Sequence, residues 1–128
     1  MNIGKIPAKT ARLSPHREAL VDIPNQRRMS YGELDERVRR LDIALIDDLN
    51  LQKGERVAIL SKNCFEYMEV YYAGARCGLV TQPLNWRLGE EEIARILQDG
   101  EPSVVIASGE YAATQAGLRE HINAAHWF

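Results

Sequence analysis

The side chains capable of chemistry fall in a few places along the 128-residue chain. Ser61-Lys62-Asn63 stands where an apolar run gives way to a helical pattern, and a helix start there would offer backbone N–H groups to an anion. The segment has no glycine, so neither GxGxxG nor GxxxxGK[ST] is present, and a plain helix cap is expected instead. Cys64 follows at the same helix start, a position that can activate a thiol. No base is marked beside it, so Cys64 and Cys77 are both expected to be small core residues. They lie thirteen positions apart, which fits no CxxC or zinc spacing, and they are expected to be reduced. His16, His121 and His126 are dispersed without a second ligand type at metal spacing, so no metal site is expected. Glu90-Glu91-Glu92 resembles a carboxylate cluster, but acidic side chains in a first helical turn are favoured by the macrodipole alone. Arg27, Arg28, Arg37, Arg39 and Arg40 make the densest basic region. Asp35, Glu36 and Asp42 interleave with it, which points to a solvated helix face and not to an RNA surface. Phe65, Tyr67, Tyr71 and Tyr72 are explained by packing without a cofactor.

The elements that must position these residues follow from periodicity. Ala19–Asp22 reads as a short strand, Ile23–Gln26 as a turn and Arg27–Met29 as the return strand of a hairpin. Ser30 and Glu33 form a capping box, with Met29 and Leu34 as the hydrophobic staple. Leu34, Val38, Leu41, Leu45 and Leu49 then recur at helical spacing, predicting an amphipathic helix of about four turns from Tyr31 to Asp48. Lys53-Gly54-Glu55 is a turn. The unbroken apolar run of Arg56–Leu60 suits a strand covered on both faces. Asn63 is expected to cap a helix from Cys64 to Cys77, with Glu66 reciprocating and Gly78 ending it. A strand at Leu79–Gln82 ended by Pro83, a helix from Gly89 to Gly100, a strand at Ser103–Ala107 and a helix from Tyr111 to about His121 complete the pattern. Before Ala19 the signal is weak, and no element is assigned at His126–Phe128. The alternation from Arg56 onward predicts an α/β fold, a parallel β-α-β-α-β sheet flanked by helices and preceded by the hairpin and the long helix.

Composition narrows the class of protein. With 45% hydrophobic and 27% charged residues, the chain can bury a core and keep a wet surface. A formal charge of −2 and an isoelectric point near 5.9 give no footprint for nucleic acid or anionic membrane. No apolar run approaches the roughly 20 residues of a membrane span. Met1 to Lys9 lacks the apolar core of a secretory signal, so a cytoplasmic location is expected.

One stretch carries more than periodicity. Residues 51–88 read Leu51-Gln-Lys-Gly54-Glu-Arg-Val57-Ala-Ile-Leu60-Ser-Lys-Asn63, then Glu66, Tyr71-Tyr72-Ala73, Gly78 and Pro83-Leu84-Asn85-Trp86-Arg87-Leu88. This resembles the amino-terminal region of the adenylate-forming superfamily, the acyl-CoA synthetases and their relatives. Their recurring strings are like G-L-x-K-G-D-R-V-A-I-x-x-x-N-x-x-E, A-x-x-x-x-G-A and P-L-N-x-R. Ala19-Leu20-Val21 with Ser30-Tyr31-Gly32-Glu33-Leu34, and Glu91-Glu92-Ile93 with Ile96-Leu97 and Val104-Val105-Ile106, extend the likeness to about residues 14–110. Glu55 stands for the usual Asp, Leu79 for a common Ala, Asp42 for a small residue and Trp86 for the common Pro.

The resemblance implies that residues 1–128 are the amino-terminal subdomain of an acyl-CoA synthetase-like fold, with the nucleotide-binding core and carboxy-terminal domain absent. It implies a two-step ligase using ATP, Mg²⁺ and CoA, in which a fatty or aromatic acid becomes an acyl-adenylate and then a thioester. The family's Ser/Thr/Gly-rich phosphate loop, Tyr-x-x-Thr-Glu element, ribose-binding Asp and catalytic Lys do not occur here. The fragment is therefore expected to be inactive and to bind no cofactor itself, and no catalytic or metal-ligating residue is assigned. Arg87 alone carries over, as a contact for the CoA phosphates. Asn85 is expected to fix the turn after Pro83 through its side chain. Apolar surface meant for the missing remainder would drive a homo-oligomer. The alternative is a stand-alone binding or interaction module derived from the ligase fold. A flavodoxin-like regulator would need an acidic phosphoacceptor after a strand, and Leu60-Ser61-Lys62 and Ala107-Ser108 offer none.

Overall fold

The computed structural model describes residues 2–128, and Met1 lies outside them. A 3₁₀ turn at Ile3–Lys5 leads into α1 (Ile6–Leu13), which has Pro7 in its first turn, where no backbone N–H is needed. This amino-terminal arm escaped the sequence because its main anchor is a backbone contact. A Cβ on Gly4 would fall 2.2 Å from the Arg76 amide nitrogen, so only glycine lets the arm lie directly on the helix behind it. Asn2 adds a hydrogen bond from Nδ2 to the Arg76 carbonyl at 3.3 Å.

β1 (Glu18–Asp22) and β2 (Arg27–Ser30) form the expected antiparallel hairpin. The capping box is present: Ser30 Oγ accepts the Glu33 N–H at 3.3 Å, and the Glu33 carboxylate accepts the Ser30 N–H at 2.8 Å. The Ser30 N–H and, at 2.8 Å, the Ser30 hydroxyl donate to the Glu33 carboxylate and hold it below its usual range. The capping bonds start α2 (Tyr31–Ile43), and Met29 and Leu34 share one core beneath it. The span to Asp48 is helical as expected, but its last turn, Ala44–Asp48, is wound as a π-helix, with the Leu49 N–H reaching the Ala44 carbonyl at 2.9 Å.

The remaining elements are β3 (Arg56–Leu60), α3 (Phe65–Cys77), β4 (Val80–Leu84), α4 (Glu90–Gly100), β5 (Val104–Ala107), α5 (Ala112–Arg119, entered through a 3₁₀ turn at Gly109–Tyr111) and β6 (His126–Trp127). They build a four-stranded sheet in the order β4-β3-β5-β6, with every pair parallel. Alternation along β3 makes two cores. Val57 and Ile59 join Val104 of β5 against α2 and α3, while Ala58 and Leu60 join Val105 against α4 and α5. Burial on both faces is what the unbroken apolar run required. Each fully buried Val, Leu or Ile among them contributes roughly 1.5–3 kcal/mol.

Several expectations need correction. Asn63 does not cap α3; Cys64 occupies the N-cap without a side-chain bond, and Asn63 is exposed in the preceding loop. Glu66 does not reciprocate, because it faces Arg27 at 3.7 Å and Arg37 at 3.9 Å. Pro83 does not end its strand. It lies within β4 opposite Ile59, and because β4 is an edge strand its missing N–H leaves no ladder bond unmade. His126–Trp127 is a fourth strand, its two residues too few to show a period.

Candidate functional site

The loops leaving β3, β4 and β5 at their carboxyl ends converge on one side-chain cluster. Lys62, from the first loop, places Nζ 2.8 Å from Glu110 Oε2, which comes from the third. The same ammonium lies 5.1 Å from the centre of the Trp86 ring in the second loop, and Arg87 Cζ lies 4.4 Å from that centre. Trp86 is half-buried, packed against the core under α4 and α5, so it offers both cations a fixed surface. Asn85 Oδ1 accepts the Arg87 N–H at 3.1 Å and the Asn85 carbonyl accepts the Leu88 N–H at 3.1 Å, which closes the turn after β4. The Glu110 carboxylate holds the Lys62 ammonium above its ordinary range. Among the described residues, Arg87 has no carboxylate partner.

Beside this cluster a groove of about 460 Å³ separates the hairpin residues Pro24 and Asn25 from the strand ends. Ile59, Ile106 and Ala107 line it with apolar surface, and Ser61, Cys64 and Ser108 add polar edges. The Ser61 hydroxyl is already engaged, donating to the Lys62 carbonyl at 2.8 Å and lying 3.4 Å from Cys64 Sγ.

The other sequence candidates are structural. Cys77 is half-buried and donates to Asp42, and burial with that carboxylate pushes its thiol up to about 12. Arg76 ties the same Asp42 at 3.1 Å and Asp35 at 3.2 Å, binding α3 to α2. Arg37 grips the buried Glu69 with two bonds, 2.5 and 3.2 Å. Arg27, Arg28, Arg39 and Arg40 also each face a carboxylate, as a solvated helix face should. Tyr67 and Tyr71 stack at 5.5 Å, and Phe65 is buried beneath Arg27. His16 and His121 are exposed, and His126 stacks on Phe128. Glu90, Glu91 and Glu92 occupy the first turn of α4, where the Glu92 carboxylate accepts the Gly89 N–H at 2.9 Å. Among the described residues no group of three or more His, Cys, Asp and Glu side chains is placed to hold a metal ion.

A parallel sheet covered on both faces, with charged and aromatic side chains from three loops meeting at the carboxyl ends of the strands, places the fold in the open α/β class, whose members take ligands at that edge. The chain belongs to the AMP-binding enzyme family, which it matches over residues 8–126. It is 38% identical over 116 residues to a feruloyl-CoA synthase of an Amycolatopsis species, covering 91% of this chain and 23% of that protein. With the long-chain-fatty-acid–CoA ligase FadD13 of Mycobacterium tuberculosis it shares 33% over 123 residues, covering 96% of this chain and 24% of that one. Among solved structures it superposes on the N-terminal domain of FACL13 from Mycobacterium tuberculosis with a TM-score of 0.90 at 30% identity, covering 100% of this chain and 33% of that one. The chain thus spans about a quarter of the length of the curated relatives it matches. The α/β expectation and the family likeness both stand.

Sequence reasoning singled out Arg87 but missed its companions. Glu110 is 48 residues from Lys62 and no local pattern joins them. The one available signal was Trp86, a large aromatic ring where the family pattern has proline.

Proposed function

We propose that residues 1–128 are the amino-terminal subdomain of an ATP-dependent carboxylate–CoA ligase, which forms an acyl-adenylate and then an acyl-CoA thioester. The observation carrying this reading is the match to the AMP-binding family over residues 8–126, in a chain that spans only about a quarter of its acyl-CoA-forming relatives. Feruloyl-CoA synthase and the fatty-acid ligase among those relatives support an aromatic or fatty acid as substrate. ATP and Mg²⁺ belong, in this reading, to the nucleotide-binding core outside these residues. The residues present do not fit them, since among the described residues no group of three or more His, Cys, Asp and Glu side chains is placed for a metal ion, and the sequence has no glycine-rich phosphate loop. What this chain supplies is a scaffold and one contact. The exposed guanidinium of Arg87, stacked on Trp86 and without a carboxylate partner, meets the phosphates of CoA.

Incubated with ATP, Mg²⁺ and a panel of aromatic and fatty acids, the isolated chain is expected to show no acid-dependent ATP–pyrophosphate exchange. Exchange above background would overturn the assignment of the chemistry to other sequence. A cytoplasmic location accompanies this reading and is supported by two unpaired cysteines. No helix among the described residues is long and apolar enough to cross a membrane. Exposed Ile3, Leu13, Ile23, Val80 and Phe128 support self-association of the isolated chain. Light scattering at high concentration should therefore find a homo-oligomer, and a monomer throughout would count against it.

A further inference from the structure

We infer that the amino-terminal arm, residues 2–17, docks the protein on an anionic lipid surface. Ile6 and Leu13 enter the headgroup boundary, while Lys5, Lys9, Arg12 and Arg17 meet the lipid phosphates and carboxylates. Nothing in this depends on the ligase reading.

Charge is segregated along the chain. The arm holds Lys5, Lys9, Arg12 and Arg17 and no Asp or Glu, in a sequence with 16 basic and 18 acidic residues whose first carboxylate is Glu18. The formal charge of −2 for the whole chain conceals this. Counter-ions are segregated in the same way. Arg27, Arg28, Arg37, Arg39, Arg40 and Arg76 each face a carboxylate, whereas among the described residues none of the arm's four cations does. Asp35 and Asp42 are both taken by Arg76, the residue on which the arm rests.

Helical geometry brings apolar exposure to the same face. At about 3.6 residues per turn, Ile6, Lys9, Arg12 and Leu13 fall on one side of α1, and all four are exposed. Pro7 and Ala11 lie opposite, where Pro7 is buried and Ala11 partly so. Leu13 is 77% exposed, and Ile3, in the preceding 3₁₀ turn, is 57% exposed, so aliphatic side chains stand in water among the cations. The arm is also held in place, by Gly4 against the Arg76 backbone and by the Asn2 hydrogen bond. A face already folded binds without the cost of ordering a free peptide. An anionic bilayer rewards this combination, because its surface potential draws the cations and its acyl boundary takes the aliphatic side chains out of water. A nucleic acid would satisfy the cations but offer Ile6 and Leu13 no apolar medium.

Co-sedimentation with vesicles of phosphatidylcholine and phosphatidylserine in equal amounts tests this, with vesicles of phosphatidylcholine alone as the comparison. The parent should bind the mixed vesicles and lose most of that binding in about 0.5 M salt or without phosphatidylserine. Lys9→Gln and Arg12→Gln should each weaken binding by about fivefold, and Leu13→Ser by about three- to tenfold. Arg40→Gln, at an exposed cation held by Glu36, should leave it unchanged. Circular dichroism of every variant should match the parent, since the substituted side chains are exposed. Equal binding to both kinds of vesicle, or a loss in Arg40→Gln as large as that in Arg12→Gln, would overturn the inference. If the glutamine variants in the arm bind less but Leu13→Ser matches the parent, the part given to the apolar side chains is overturned. If the parent never sediments with vesicles while Leu13→Ser dissolves the homo-oligomer, the face is a contact between copies and the inference fails.

Discussion

At the amino-terminal ends of the strands the loops are closed by backbone. The Gly54 N–H meets the Gly78 carbonyl at 2.9 Å, the Val80 N–H the Glu55 carbonyl at 2.8 Å and the Ser103 N–H the Arg56 carbonyl at 2.9 Å. Glu55 adds a carboxylate that accepts both the Ser103 hydroxyl and the Gln52 N–H. At the carboxyl-terminal ends backbone bonds also close the loops, from the Ser108 N–H to the Leu60 carbonyl at 3.0 Å and from the Leu88 N–H to the Asn85 carbonyl at 3.1 Å, but there the loops meet one another through the exposed Lys62, Arg87 and Glu110 around the half-buried Trp86. Backbone closure cannot be exchanged for a ligand without opening the fold. Exposed ion pairs and cation–ring contacts can be broken without opening the fold, because water replaces them at little cost. One end of this sheet is held mainly by backbone bonds, and the other adds contacts between exposed side chains.

The largest effect should come from cutting the strand both ends share. Ile59→Ala, at a position 2% exposed in the central strand, should cost about 2–5 kcal/mol. Urea unfolding followed by circular dichroism and by tryptophan fluorescence should shift together. Separate transitions would show that the two ends are independent units. Next come the closures at the amino-terminal end. Gly78 ends α3 at φ 75°, and a Cβ there would also meet Lys53 Cγ at 3.0 Å. Gly78→Ala should therefore cost about 1 kcal/mol or somewhat more in the same assay. Gly54→Ala, at φ 92° but with open space around it, should cost less than Gly78→Ala. The reverse order would mean that backbone strain outweighs the Lys53 contact.

A smaller, pH-dependent effect belongs to Glu55. The Ser103 and Gln52 hydrogen bonds hold its carboxyl below the ordinary 4.5. A depressed carboxyl contributes stability that is fully present above the unfolded value and disappears as the pH falls through the folded one. Thermal midpoints measured from pH 6 down to pH 3 should fall less steeply in Ser103→Ala than in the parent. Parallel curves would remove Glu55 from the account of that end. Smallest of all should be the effect of Lys62→Ala or Glu110→Gln on unfolding, within the scatter of repeated midpoints. If either matches Gly78→Ala, the carboxyl-terminal cluster is a structural clasp and the contrast between the ends collapses.

Much of the fold was legible in the chain because its signals are local. Ser30 and Glu33 are three residues apart, Gly78 ends its helix in its own backbone, and Arg56–Leu60 announces burial on both faces within five positions. The site as a whole was not legible. Asn63 and Glu66 have capping spacing, yet Glu66 is drawn to Arg27 and Arg37, which reach it only after the hairpin and α2 pack on α3. Pro83 looks like a strand breaker until the sheet order places it on an edge.

By itself, then, the sequence determined the order of helices and strands, the two-sided burial of the central strand and the family likeness. These depend on side chains a few residues apart along one backbone. Only the tertiary structure decided that Gly4 would touch Arg76, that His126–Trp127 would become a strand, and that Lys62 would sit between Glu110 and Trp86. Such contacts join residues tens of positions apart, and they exist only once the parallel crossovers bring the loops to one edge of the sheet.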